Sequence, residues 1–297
     1  MIIVSLFGGL GNQMFQYACG KAVVTRLGVK LKLDISLVSD KTARKDFTFR
    51  EYELGVFNVK EEIATIEEVR QYIPDLWNSK KYIKLLYRFK RVVTRRTLYV
   101  EKLKFIYNQD IESVKDNTYL YGYFQTQGYF ENLRPELLQS FSLTNEIDSQ
   151  NSVLIAQIRK ENSVSIHVRR GDYENSVFEA LSVESYYRKA IELIKTEVES
   201  PVFYIFTNDY EWVEENFRTL EINQNIITIN TGTGSYMDMV LMSHCKHNIC
   251  ANSSFSWWGA WLNNNPSKKI IAPKKWFKNT DFVESTRDLI PSDWLTI

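Results

Sequence analysis

No Asp-x-Asp pair occurs anywhere in this chain, so the acidic motif with which many nucleotide-sugar enzymes chelate a divalent metal is missing. Walker A, Gly-x-Ser-x-Gly and His-Glu-x-x-His patterns are absent too, which excludes the phosphate loop, the nucleophile elbow and the zincin helix. Cysteine is scarce: Cys19, Cys245 and Cys250 are odd in number and fit no zinc spacing, so a reducing, cytoplasmic compartment is expected. Long apolar runs are lacking as well. Ile2–Phe7 breaks at Gly8-Gly9 without a basic leader, as the first buried strand of an α/β domain would. Excess charge is also missing: 37 Lys+Arg against 36 Asp+Glu leave a net +1, which argues against nucleic acid as a partner.

What is present is an alternation of strand-like and helix-like segments. Apolar runs at Ile2–Phe7, Val29–Leu33, Val164–Val168, Phe203–Phe206, Asn225–Ile229 and Lys246–Ala251 each end in a polar break. Helical patterns lie between them at Gln13–Leu27, Val183–Glu197, Tyr210–Phe217, Ser235–Cys245 and Ser254–Leu262. The fold class expected is α/β, with parallel sheets and helices on both faces. The polar stretch Ser140–Ser152 is the expected boundary between domains 1–150 and 151–297, the last helix being a candidate to pack back on the first domain. Lys80–Lys104 holds ten Lys/Arg and one acid, Glu101, around a helical stripe of Ile83, Leu86, Phe89 and Val93. It is either a solvated face or a contact for an anionic membrane or polyanion.

Four strand ends carry groups suited to chemistry. Phe7–Gln13 is a glycine loop opening a helix, with Asp34 closing the next strand. Met14 stands where a dinucleotide fingerprint needs its last glycine, and Asn12 and Gln13 suit hydroxyl groups better than phosphate. Ser163–Tyr173 is a strand whose end gathers His167, Arg169, Arg170 and Asp172, a donor cluster fit for phosphate oxygens beside groups that hold or move a proton. Phe203–Asp209 ends in Asp209, which either holds a ribose, a base or an arginine, or caps the next helix. Asn252, Ser253 and Ser254 sit where a strand passes into a Trp-rich helix, a phosphate cradle without lysine or simply an N-cap. Without a metal, arginine and helix dipoles must neutralise a diphosphate, each charge-assisted hydrogen bond being worth roughly 1.5–3 kcal/mol.

Together these segments resemble the bacterial α-1,2-fucosyltransferases, glycosyltransferase family 11. The matching pieces are Gly8–Tyr17, Gly122-Tyr123-Phe124-Gln125, His167–Tyr173, and a last block from Asp238 through Asn252–Trp261 to Pro273–Trp276. They span nearly the whole chain in family order. One departure is Thr207-Asn208-Asp209 where the family usually has Ser-Asp-Asp. The resemblance implies a GT-B-type fold, two Rossmann-like domains facing across a cleft. It implies GDP-fucose as co-substrate, a terminal β-galactoside as acceptor, inversion at the anomeric centre, and neither metal nor cofactor. By the same resemblance, Asn12 and Gln13 face the acceptor, Arg169 contacts the β-phosphate, His167 the nucleoside end, and Ser253 and Ser254 the diphosphate. Asp172 is either the general base or the anchor of Arg169 or Arg170. Rival expectations are fucosyl transfer with another linkage, a non-catalytic sugar-nucleotide or glycan-binding module, and a dinucleotide-dependent oxidoreductase. A lipid-linked glycan acceptor is a further expectation, with Lys80–Lys104 either a peripheral membrane contact or a solvated face.

Overall fold

The computed structural model describes residues 1–39, 50–73, 95–170, 181–277 and 286–297. The chain divides into two compact units, Met1–Asn145 with Arg287–Leu289, and Glu146–Thr286 with Ile290–Ile297. The residue-150 boundary expected from polarity falls inside a helix, Ser149–Lys160, which Asp148 caps by accepting the Asn151 N–H. Of the basic stretch Lys80–Lys104, residues 80–94 with Ile83, Leu86, Phe89 and Val93 lie outside the described residues. Among those described, no helix is long and apolar enough to cross a membrane.

The first unit holds strands β1 (Ile2–Ser5), β2 (Leu31–Asp34), β3 (Glu62–Ile63), β4 (Thr97–Val100) and β5 (Thr118–Tyr121) in the order β3-β2-β1-β5-β4. The second holds β6 (Ser163–Val168), β7 (Val202–Thr207), β8 (Gln224–Ile227), β9 (His247–Ile249), β10 (Ile270–Ala272) and β11 (Leu295–Thr296) in the order β11-β10-β9-β6-β7-β8. Every pairing is parallel. Parallel strands buried on both faces read as continuous apolar runs, and β1 and β6 are buried at every position. The fold is therefore α/β and GT-B-like, with two Rossmann-type units.

This order places the ligand edges. In each sheet the first strand is flanked on one side by the strand that follows it directly and on the other by a later strand, and the crevice beyond its carboxyl end is where such sheets bind ligands. In the second unit that switch point lies between β6 and β9. In the first it lies between β1 and β5. Around the first sheet, Ile3, Ala64, Val69, Tyr72 and Tyr119 form one apolar cluster. The second has a larger core in which Ile166, Val168, Ile205 and Ile249 meet Tyr187, Ile191 and Phe217. Trp257, Trp258 and Trp261 are buried against one another, ring centroids 5.0–6.1 Å apart, so the Trp-rich helix is core and not a ligand platform.

The turn after β5 is built by crowding. The Glu101 carboxylate accepts the N–H groups of Tyr123 (2.7 Å) and Phe124 (3.0 Å), and Phe124 takes a positive φ of 54°. A Cβ on Gly122 would stand 2.4 Å from Glu101 Cβ and 2.9 Å from the Phe124 ring. Gly122→Ala should therefore lower the unfolding free energy by about 1–3 kcal/mol. Urea denaturation measures it, and unchanged stability would mean that Glu101 moves aside at no cost.

Candidate active site

Three strand ends meet at the switch point of the second unit. β6 runs out into Arg169 and Arg170, β7 into Asn208 and Asp209, and β9 into Asn252 and Ser253. His167, the fifth residue of β6, is 6% exposed, its ring centroid 5.7 Å from that of Phe255. Its Nδ1 has no hydrogen-bond partner among the described residues. Burial, and then the charge of Arg169, drop its pKa to about 3, so the imidazole is neutral at physiological pH.

Arg170 is held by several groups of the fold. Arg170 lies with its guanidinium carbon 4.0 Å from the Trp212 ring centroid, and its Nε is 3.4 Å from Asp209 Oδ2. Its peptide is held on both sides by one amide: Asn208 Oδ1 accepts the Arg170 N–H at 3.0 Å, and Asn208 Nδ2 donates to the Arg170 carbonyl at 3.2 Å. An ionised aspartate could only accept, so this pair of hydrogen bonds uses the asparagine that stands where the family usually has an acid. Asp209 both caps the helix Tyr210–Phe217, through the Trp212 N–H at 3.2 Å, and holds Arg170. Arg169 is half-buried at the same strand end. Asp172, beyond it, lies outside the described residues.

At the end of β9, Asn252 is fully buried and donates through Nδ2 to the Trp276 carbonyl at 2.9 Å. Ser253 is the N-cap residue of the helix Ser254–Trp261, yet its hydroxyl makes no capping bond. The first-turn N–H groups of such a helix have no intrahelical acceptor and present a positive dipole end. Ser253 is buried and Ser254 half-buried at that terminus. One further acid arises from topology. Asp238 stands in the first turn of Tyr236–His244, which begins at the same carboxyl edge of the sheet, and accepts Asn230 Nδ2 at 2.9 Å. Burial raises its carboxyl to about 7.

In the first unit the glycine loop is held by amides. Gln16 Oε1 accepts the Phe7 N–H at 3.0 Å, and its Nε2 returns to the Phe7 carbonyl at 3.3 Å. Gly8 takes a positive φ of 76°, under the Asn12 side chain. Gln13, expected to face an acceptor, is fully buried. Its Nε2 donates to the carbonyls of Gly8 (2.9 Å) and Glu51 (2.8 Å), and its Oε1 accepts the Glu53 N–H at 3.0 Å. It is the pin of the loop. Asn12 is half-buried at the edge, and its Oδ1 accepts Gln125 Nε2 at 2.7 Å across the switch point. Asp34, the residue that invited a dinucleotide site, is consumed internally: Tyr119 Oη donates to one oxygen at 2.5 Å, and the Ser36 N–H and hydroxyl take the other. Gln125 and Asp238 stand in motif blocks quoted above but had no assigned role, and Glu53 carries no sequence signal.

Asp238 gives a test with a definite sign. Its folded pKa lies above the unfolded value, so the native state holds the extra proton and loses stability as pH rises between about 4 and 7. Asp238→Asn keeps the acceptor for Asn230 but cannot ionise. Its stability relative to the parent should improve across that window, by at most about 1.4 kcal/mol per pH unit. Urea titrations at several pH values measure this, and a constant difference would refute a raised carboxyl.

Residues 1–297 match the family model described as glycosyl transferase family 11. The chain is 33% identical to the O-antigen biosynthesis glycosyltransferase WbnK of Escherichia coli, over 95% of this chain and 97% of that protein. It is 32% identical to an alpha-1,2-colitosyltransferase of the same species, over 100% of this chain and 99% of that protein. Mouse galactoside alpha-(1,2)-fucosyltransferase 2 is 29% identical over 48% of this chain and 43% of that protein. Among solved structures, NodZ alpha-1,6-fucosyltransferase soaked with GDP-fucose superposes at a TM-score of 0.51 with 15% identity, over 88% of this chain and 91% of that chain, a likeness of fold. The two Rossmann-type units, the motif-bearing strand ends and the full-length match converge: the chain belongs to glycosyl transferase family 11.

Proposed function

We propose that this protein transfers L-fucose from GDP-fucose to the 2-hydroxyl of a terminal β-galactoside, inverting the anomeric carbon without a metal. The observation that carries this proposal is the second unit's switch point. Arg169, a neutral buried histidine and an uncapped helix N-terminus share the edge where doubly wound sheets hold nucleotides.

As the glycosidic C–O bond breaks, charge builds on the β-phosphate oxygen. Arg169 and the N–H groups at Ser253–Ser254 stabilise it, so they act most strongly in the transition state. Arg170, fixed on Trp212 by Asp209, sets the strand end from which Arg169 projects. His167, at the nucleoside end, offers a neutral ring whose Nδ1 has no partner among the described residues. Asp238 offers a carboxyl to the paired N–H donors of guanine. The acceptor sits at the first unit's edge, where Asn12 and Gln125 present amides to sugar hydroxyls. Asp172 either takes the acceptor proton or anchors an arginine.

The full-length match to a colitosyltransferase favours a second reading, in which the donor sugar is colitose, fucose without its 3-hydroxyl. The O-antigen role in the name of another relative favours a lipid-linked surface glycan as acceptor, handled at the cytoplasmic membrane face.

Incubation with GDP-fucose or GDP-colitose and a panel of galactosides, with product linkage read by NMR, tests both readings. Donor turnover with neither would overturn the first reading and the second. Arg169→Ala should lower kcat by about 10²–10³-fold while circular dichroism and thermal unfolding stay unchanged. Near-normal turnover would take Arg169 off the phosphate. EDTA should leave transfer intact, and a strict metal requirement would count against arginine and helix dipole as the neutralising groups.

A further inference from the structure

Glycosyl transfer leaves a proton on the acceptor oxygen, and the first unit holds a carboxylate beside its glycine loop. Glu53 reaches the glycine loop from 43 residues away, and its Oε2 accepts the Leu10 N–H at 3.1 Å. Its backbone is pinned there by Gln13 Oε1, which accepts the Glu53 N–H at 3.0 Å. The carboxylate thus stands at the carboxyl edge of β1, two residues along the helix from Asn12. It is half-buried.

We propose that Glu53 is the general base of the first unit, taking the proton of the attacking acceptor hydroxyl beside Asn12 and Gln125. This rests on the transferase activity proposed above. The acceptor oxygen forms its bond to the sugar C1 as the bond from C1 to the β-phosphate oxygen breaks. The electron pair leaves on the nucleoside diphosphate, and the proton passes to Glu53 and then to water.

The surroundings favour proton uptake. Burial lifts the Glu53 carboxyl above the usual range, and Glu51 adds to it, while Arg50 and the Leu10 N–H pull it back. A raised pKa makes a carboxylate a better base near neutrality. A group serving only to tie down the helix start would work as well as an amide, and that sets the test.

Glu53→Gln keeps an oxygen for the Leu10 N–H but cannot accept a proton. Transfer should fall about 10²–10⁴-fold in kcat, with thermal unfolding, donor affinity and acceptor KM unchanged. The acid limb of the parent's kcat–pH profile should vanish in the variant. Formate or azide should restore turnover to Glu53→Ala, a rescue that a purely structural defect would not show. Turnover by Glu53→Gln at the parent rate overturns the proposal, as does loss confined to Asp172→Asn, which assigns the proton to the second unit. Failure of the parent itself to turn over either sugar nucleotide overturns the transferase reading, and the base with it.

Discussion

Two like charges on consecutive residues at one strand end repel, and the second unit fixes Arg170 in place against its own groups. Arg170 is spread on the Trp212 face, paired with Asp209 and fixed through its own peptide by Asn208. A guanidinium stacked and paired in this way loses little entropy when its neighbour binds an anion. Asp209 also starts the next helix, so a single carboxylate joins the end of β6, the end of β7 and the first turn after it. Everything else at that edge is arranged around this latch: the half-buried Arg169 beside it, the neutral His167 behind it, and the open helix terminus at β9.

The first unit solves a different problem with different groups. Its loop must turn sharply from β1 into a helix with little side-chain mass at Gly8 and Gly9, and glutamines supply the missing cross-links. Gln13 and Gln16 satisfy backbone groups that would otherwise be buried without partners. Amides carry no net charge, so the edge presents hydroxyl-scale polarity without attracting phosphate. The chain thereby uses one architecture twice, with arginines at one carboxyl edge and, at the other, amides beside the Glu53 carboxylate.

The long strands and helices of both units were legible because buried parallel strands leave apolar runs that no loop shares. Tyr210–Phe217 and Ser254–Trp261 stand as expected, within one residue. β4 was hidden inside a basic stretch, and β3 and β11 are two residues each, too short to show a period. The start of the helix Ser149–Lys160 fell within the polar boundary stretch Ser140–Ser152, because its only buried apolar residues, Ile155 and Ile158, come later and Val153 is 69% exposed. Residue type marked the polar positions of the site but not their direction. Gln13 turns into the loop and Asn12 out of it, and only the helix phase decides. Glu53, Gln125 and Asp238 reach their edges through chain topology, which local pattern does not encode.

The internal use of Asp34 reaches beyond the fold. An acid at the end of the second strand is what lets a Rossmann unit grip ribose, and here Tyr119 and Ser36 occupy both of its oxygens. The second-strand acid of the first unit is therefore not free to anchor the ribose of a nucleotide. A nucleotide reaching that edge would have to break three hydrogen bonds before Asp34 could hold its ribose.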